Sequence, residues 1–403
     1  MAGPLHGVRV LDLSRVLAGP WSGQVLADLG AEVIKVERPG VGDDTRSWGP
    51  PFLKPAEGEG RGESAYFLCA NRGKKSVTVD FSRPEGQAIV QRLAARCDIV
   101  LENFKVGGLA KLGLGAEDLL KINPRLIYCS ITGFGQTGPY RHRAGYDFLM
   151  QGMGGLMSLT GEPEGEPMKV GVAVVDVFTG MYAVSAILAA LHERASSGVG
   201  QHVDIALFDV QIATMANQIS SYLVSGEQPL RLGNAHPSIV PYQVFATADG
   251  YAILAIGNDE QFRRFVGVAG AEALGVDARF ATNPARVANR GVLVPLLEVM
   301  MRTRTTQDWM AALETVGVPC GPINKFSDLE EDPQVLARGI FKTVAHPAGG
   351  EVRGVASPMR FSRTQVEDER TSPLLGADTE AVLREYAGAS AAEIDAWRVA
   401  GVV

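Results

Sequence analysis

The chain has 403 residues, with 38 Lys and Arg against 45 Asp and Glu, a formal charge of −7 at neutral pH. At about 150 residues per domain this length predicts two or three domains, each able to bury a core. With 46% hydrophobic and 21% charged residues general disorder is excluded, and an acidic chain with no basic block argues against nucleic acid or an anionic membrane as the main partner.

The start, Met1-Ala-Gly-Pro-Leu-His-Gly7, lacks a basic segment followed by an apolar run and does not read as a signal peptide, so the cytoplasm is the expected compartment. Val8–Leu13 reads as a strand, Pro20–Leu29 as a helix closed by Gly30, and Glu32–Val36 as a second strand, the pattern of a right-handed βαβ unit. Further strands are expected at Ser76–Val79, Asp98–Leu101 and Arg125–Ile131, with helices at Pro84–Arg96 and Ala116–Ile122. The fold class this predicts is α/β, a Rossmann-like large domain with a parallel sheet. Val170–Leu191 is apolar enough to suggest a membrane span, but Asp176 at its centre would cost several kcal/mol in lipid. It reads instead as a buried approach to a long helix, Val177–Arg194. Gln201–Leu207 is an expected strand, followed by a helix to about Val224. Beyond Gly226 the pattern changes: Tyr242–Ala246 and Tyr251–Ile256 around Asp249-Gly250 predict a β-hairpin, and helices follow near Asp259–Val268, Arg290–Arg302 and Thr306–Val316. The expected domains are therefore 1–225, a smaller α+β domain at 226–325, and a C-terminal segment 326–403.

Cys69, Cys97, Cys129 and Cys320 are far apart and six histidines show no ligand spacing, so neither disulfides nor a metal site is expected. Gly133-Phe-Gly-Gln-Thr-Gly138 fits a dinucleotide fingerprint after a strand, which raises a nucleotide-dependent oxidoreductase as one reading. Pro139 and the cluster Tyr140-Arg-His-Arg143 follow it where a helix should begin, so a tight glycine turn is the stronger reading. Asp176, at the start of the long helix, fits an N-cap worth ~1 kcal/mol. The same position would let a carboxylate face a substrate beside backbone N–H groups. Arg38, Arg46, Lys74, Lys75, Lys105, Lys111, Arg141 and Arg143 gather near the expected strand ends, a concentration that suits a polyanionic ligand. Asn234-Ala-His236-Pro-Ser-Ile-Val-Pro-Tyr242 reads as a domain connection or as a set of neutral donors for a carboxylate.

These blocks, ordered along nearly the whole chain, resemble the family III CoA-transferases, the group of formyl-CoA transferase and α-methylacyl-CoA racemase. The resemblance is carried by Val10-Leu-Asp-Leu13 with Ala18-Gly-Pro20, Gly30–Arg38, Gly42-Asp-Asp-Thr-Arg46, Asn71–Ser76, Glu102-Asn-Phe104, Asn123-Pro-Arg125, Gly145-Tyr-Asp147, Gly317–Ile323 and Pro373-Leu-Leu-Gly376. It implies that Asp176 is a nucleophile that attacks an acyl-CoA thioester, passing through an aspartyl anhydride and an aspartyl-CoA thioester. It implies CoA contacts at Arg38, Asn103, Phe104, Lys105, Lys111, Arg143 and Tyr146, no prosthetic group or metal, CoA thioesters and short carboxylic acids as substrates, and an interlocked, ring-like homodimer. Leu17 stands where formyl-CoA transferase has a glutamine, and that enzyme's glycine-rich loop is absent. Tyr146 stands where racemases carry His, and a phenol of pKa ~10 is a poor neutral-pH base, which sets the racemase or epimerase reading second. The block Ala235–Gln243 is similar to the branch that moves CoA between succinate and hydroxymethylglutarate or glutarate. That suggests Arg46, His236, Ser238 and Tyr242 as holders of a dicarboxylate's distal carboxylate.

Overall fold

Alternation along the strands places their side chains on opposite faces of a sheet. In the computed structural model, which describes residues 2–54, 62–348 and 350–403, this alternation builds two cores, one on each face. The strands are β1 (Arg9–Asp12), β2 (Glu32–Glu37), β3 (Lys75–Thr78), β4 (Ile99–Glu102), β5 (Ile127–Thr132) and β6 (Gln201–Ala206). All pair in parallel, in the order β3-β2-β1-β4-β5-β6. Leu11, Ile34, Val77 and Val100 point to one face, where they pack with Ile89, Val90 and Leu93 of the helix Pro84–Ala94 and with Val382, Leu383 and Ile394 near the C-terminus. Val10, Val33, Ile99 and Ile127 point to the other, against α1 (Ala18–Asp28) and a 24-residue helix, Val174–Ser197. Each fully buried aliphatic side chain contributes roughly 1.5–3 kcal/mol.

The expected elements of this half all form, with ends displaced by up to three residues. Two departures have local causes. The helix expected to run to Val224 breaks after Thr214, where Ala216 takes φ +44°. A short helix, Asp147–Met153, appears where no amphipathic period announced one; we call it α2, and the long helix Val174–Ser197 α3. Among the described residues one helix has the length and composition to cross a membrane, α3, and it packs on α1. There Ser22 Oγ donates to the Gly180 carbonyl (3.1 Å), and a Cβ at residue 180 would come within 2.9 Å of the Ala18 carbonyl oxygen, so the close crossing requires glycine.

The chain divides into two units. The first comprises Met1–Leu156, Val170–Leu223 and Gln334–Val403. Its C-terminal stretch returns to the sheet edge, where Asp378 N–H donates to the Ser76 carbonyl (2.9 Å) and Asp80 N–H to that of Val402 (2.7 Å). The second comprises Val224–Pro333 together with Met157–Lys169, a segment that no composition shift marks. In it β7 (Tyr242–Ala246) and β8 (Tyr251–Ala255) form an antiparallel hairpin extended by Cys320–Pro322. Phe245, Leu254, Phe262, Phe265, Phe280 and Trp309 fill its core.

Candidate functional site

The strand order reverses between β1 and β4, so the chain leaving the two C-terminal ends diverges and opens a crevice there, the usual ligand position of such a sheet. The two loops are tied across it: Arg15 N–H donates to Asn103 Oδ1 (2.9 Å), and Asn103 Nδ2 donates to the Arg15 carbonyl (2.7 Å). Around this tie lies a cavity of about 400 Å³, lined by Arg15–Ala18, Asn103–Lys105, Arg143–Tyr146 and Asp176, among others. A second cavity of about 370 Å³, at the ends of β1 to β3, is lined by Arg38, and Arg15, Asp44 and Phe104 border both. The set is cationic at Arg15, Lys105, Arg141 and Arg143, although Arg15 also pairs with Asp44 (3.1 Å). Arg143 lies over the rings of Tyr140 (4.6 Å) and Phe134 (5.3 Å), which stiffens a long side chain at the rim.

Asp176 enters the cavity from the first turn of α3, but not as its cap. It is the third helical residue; Ala173 stands at the N-cap and offers no side-chain bond. The cap comes from α2 instead. Asp147 Oδ1 accepts the N–H of Val175 (2.8 Å) and, at 3.4 Å, that of Asp176, while its Oδ2 accepts from Gln151 Nε2 (2.7 Å). Gln151 Oε1 in turn accepts the Val170 N–H (2.8 Å). Asp147 relieves Asp176 of capping and leaves its carboxylate to the cavity. Burial, and secondarily the negative charge of Asp147, push the Asp176 carboxyl up to about 7. A carboxylate made more basic and stripped of water is the form suited to nucleophilic attack.

The other expected residues divide. Asn103, Phe104, Lys105, Arg143 and Tyr146 line the first cavity with Asp176, and Arg38 the second. Asn103 lines it while its side-chain amide is engaged in the loop tie. Lys111 lies exposed in a 3₁₀ turn, Ala110–Leu112, and lines neither. Arg46 lines neither, and its five N–H donors all meet acceptors: Glu37 at 2.7 and 2.8 Å, Glu63 at 2.9 and 3.0 Å, and the Pro373 carbonyl at 3.2 Å. The expectation that Arg46 holds a substrate carboxylate is thus corrected: protein carboxylates already saturate it. Lys74 and Lys75 are likewise paired, with Asp12 and Glu32. His236, Ser238 and Tyr242 belong to the second unit. There Ser238 N–H donates to His236 Nδ1 (3.1 Å), and the rings of His236 and Tyr242 meet edge to face at 5.4 Å. The Gly133–Gly138 stretch is a turn with Gly135 and Gly138 at positive φ and no helix behind it, which removes the dinucleotide reading. Arg15 escaped the sequence reading and Asp147 entered it only within the Gly145-Tyr-Asp147 block, without a role, because a cap supplied by another helix and a side chain between two cavities leave no periodic trace.

The fold and site together are a doubly wound sheet with a carboxylate of raised pKa in the cavity at its switch point. The profile of CoA-transferase family III matches residues 5–379, and the chain belongs to this family. It is 54% identical over 382 residues to a succinate–glutarate CoA-transferase of Agrobacterium fabrum, covering 95% of each chain. It is 44% identical over 400 residues to a mouse succinyl-CoA:glutarate CoA-transferase, covering 99% of this chain and 90% of that one. Among solved structures, a CaiB/BaiF family protein from Brucella suis superposes with a TM-score of 0.84 at 53% identity, covering 96% of this chain and 100% of that one. Rv3272 of Mycobacterium tuberculosis gives 0.82 at 32% identity, with 94% and 98% covered.

Proposed function

We propose that this CoA-transferase moves CoA from succinyl-CoA to a short dicarboxylic acid, with glutarate the preferred acceptor. The observation that carries the chemistry is the Asp176 carboxylate in the switch-point cavity, raised in basicity and freed from capping. The names of the two relatives above support the acid pair.

In this reading an Asp176 oxygen attacks the succinyl thioester carbonyl, and the C–S bond breaks to give a mixed anhydride and CoA thiolate. The thiolate attacks the aspartyl carbonyl, releasing succinate and leaving an aspartyl-CoA thioester. Glutarate displaces CoA by forming a second anhydride, and the thiolate then takes the glutaryl group, restoring Asp176. Covalent catalysis here splits one difficult exchange between an acid and a thioester into easier steps through activated acyl groups. The pantetheine arm lies along Asn103–Lys105 and Tyr146, and the phosphates meet Arg38, Arg143 and Lys105. His236, Ser238 and Tyr242 are assigned to the distal carboxylate.

The test is transfer from succinyl-CoA to glutarate, hydroxymethylglutarate, itaconate, malate, oxalate and acetate, read by mass spectrometry. Glutaryl-CoA as the leading product supports the reading; no transfer to any acid overturns it. Arg38→Ala should raise KM for succinyl-CoA about 10- to 100-fold and leave KM for glutarate within 2-fold, since a lost charge-assisted phosphate contact is worth roughly 1.5–3 kcal/mol. Equal changes in both would remove Arg38 from the CoA site.

We further propose an interlocked homodimer. Phe148 and Leu149 of α2 and Phe178, Met181 and Tyr182 of α3 are 38–58% exposed, a concentration of large apolar side chains that a monomer would leave in water. Sedimentation equilibrium should give twice the chain mass at micromolar concentration, and a monomer mass would sink the proposal.

A further inference from the structure

Between β1 and α1, five successive backbone polar groups are held by side chains. Ser14 N–H donates to Asp12 Oδ1 (2.9 Å), and the Ser14 carbonyl accepts from Lys35 Nζ (2.8 Å). Asn103 takes both groups of Arg15, and Val16 N–H donates to Asp43 Oδ1 (3.3 Å). The anchors are themselves anchored. Lys35 and Asp43 form an ion pair (2.8 Å) with both side chains fully buried, and Lys74 binds Asp12 and the Pro20 carbonyl, each at 2.9 Å. At the end of this series Val16 has φ +71°, a left-handed conformation that a β-branched residue adopts only when its surroundings impose it.

Buried ion pairs are a poor route to stability, because apolar side chains of the same volume serve as well. What these ions do that apolar groups could not is hold backbone N–H and C=O groups in a fixed place. That place is the wall formed by Arg15, Val16, Leu17 and Ala18 in the cavity that Asp176 lines; Lys35 and Asp43 do not border that cavity, though both line the second one with Arg38. We propose that Lys35, Asp43 and Asn103 are positioning residues for CoA transfer, holding Val16 in the left-handed conformation so that the wall beside the thioester is set before substrate arrives. The inference rests on the reading of this cavity as the transfer site, and misplacement of such a wall by an ångström is costly to rate.

The test is a double-mutant cycle in the full-length enzyme, Asp43→Asn with and without Val16→Gly, reading kcat and KM for succinyl-CoA and the affinity for free CoA by calorimetry. Glycine reaches positive φ without steric cost, so it makes the hold on residue 16 dispensable. Asp43→Asn should lower kcat/KM by about 10-fold or more in the Val16 protein but by less than about 3-fold in the Val16→Gly background. An equal loss in both backgrounds would overturn the proposal, because a general loss of stability is indifferent to the conformation of residue 16. If Asp43→Asn fails to fold, the same cycle with Asn103→Ala decides, and a loss undiminished by Val16→Gly would make Asn103 a direct contact only. If the wild-type enzyme transfers no CoA, the transferase reading fails, and the calorimetric cycle alone then tests whether the loop is held as proposed.

Discussion

Asp176→Asn is expected to abolish transfer, by at least about 10⁴-fold in kcat/KM, while making the folded protein more stable. The first effect follows from the proposed mechanism, in which a carboxylate oxygen of Asp176 forms the anhydride and its carbonyl carbon then takes the thiolate; the amide is isosteric but not nucleophilic. The second follows from the site itself. Burial and Asp147 raise the folded-state pKa from 3.8 to about 7, so at pH 8 the ionised carboxylate works against folding. Discounted for the part of the side chain that faces the cavity, the amide should gain about 1–2 kcal/mol at pH 8, or roughly 1–3 °C in Tm for a chain of this size. The sign is fixed by the direction of the shift. Wild type has the full contribution of the protonated acid below about pH 4 and loses it as pH rises through 7, so the variant's advantage should shrink steadily between pH 8 and pH 4. Mass spectrometry of the wild type trapped with succinyl-CoA should find the adduct on the peptide containing Asp176, and no adduct on the variant. A soluble Asn variant that still transfers CoA would remove Asp176 as nucleophile.

The same titration sets the pH dependence of the wild type. Protonated Asp176 cannot attack, so kcat/KM should fall about tenfold per unit below pH 7 and level off above it. A profile flat from pH 5 to pH 8 would contradict the raised pKa.

The parallel half of this protein was legible because each of its strands is short, branched and punctuated. Val8–Leu13, Glu32–Val36 and Asp98–Leu101 each match a strand within three residues at either end, since burial on both faces leaves a nearly continuous apolar run. The helix Asp259–Val268 matches to the residue, its N-terminus marked by Asn258, whose side chain accepts the Gln261 N–H. Asp176 was legible as a charge that an apolar stretch would not otherwise tolerate. Its capping partner was not. Asp147 lies 29 residues away in a helix of seven residues, too short to show a period, and which acid caps which helix is decided by packing. The left-handed Val16 is hidden for the same reason: it lies between the expected strand and the expected helix with nothing in Ser14-Arg-Val-Leu17 to mark it, and the side chains of Lys35, Asp43 and Asn103 that bond this stretch come from other strand ends. Arg46 shows the opposite error. A basic residue after a strand in a block shared with a CoA-binding family looks like a ligand contact until its acceptors are counted.

Replacing that residue should therefore damage the fold before it damages binding. In Arg46→Met the buried Glu37 loses two charge-assisted bonds and Glu63 loses two more, and the ring of Phe67, 3.7 Å beneath the guanidinium, loses its cation. Breaking one partner from a buried pair leaves an uncompensated charge and costs about 3–5 kcal/mol, here a fall in Tm of roughly 4–8 °C at pH 7. Burial opposes the ionisation of Glu37, but Arg46 and Lys35 outweigh it and hold the carboxyl below its usual range. The pair's contribution is therefore present above the ordinary carboxylate pKa of 4.5 and lost as pH falls through the folded value. The gap in Tm between wild type and Arg46→Met should accordingly close as pH is taken down toward 4. KM for glutarate in the surviving folded enzyme should stay within about 2-fold of wild type, because no donor of Arg46 remains to reach a substrate. The opposite pattern, an unchanged Tm with KM for glutarate raised tenfold, would return Arg46 to the acid site and show that the pairs with Glu37 and Glu63 open when substrate binds.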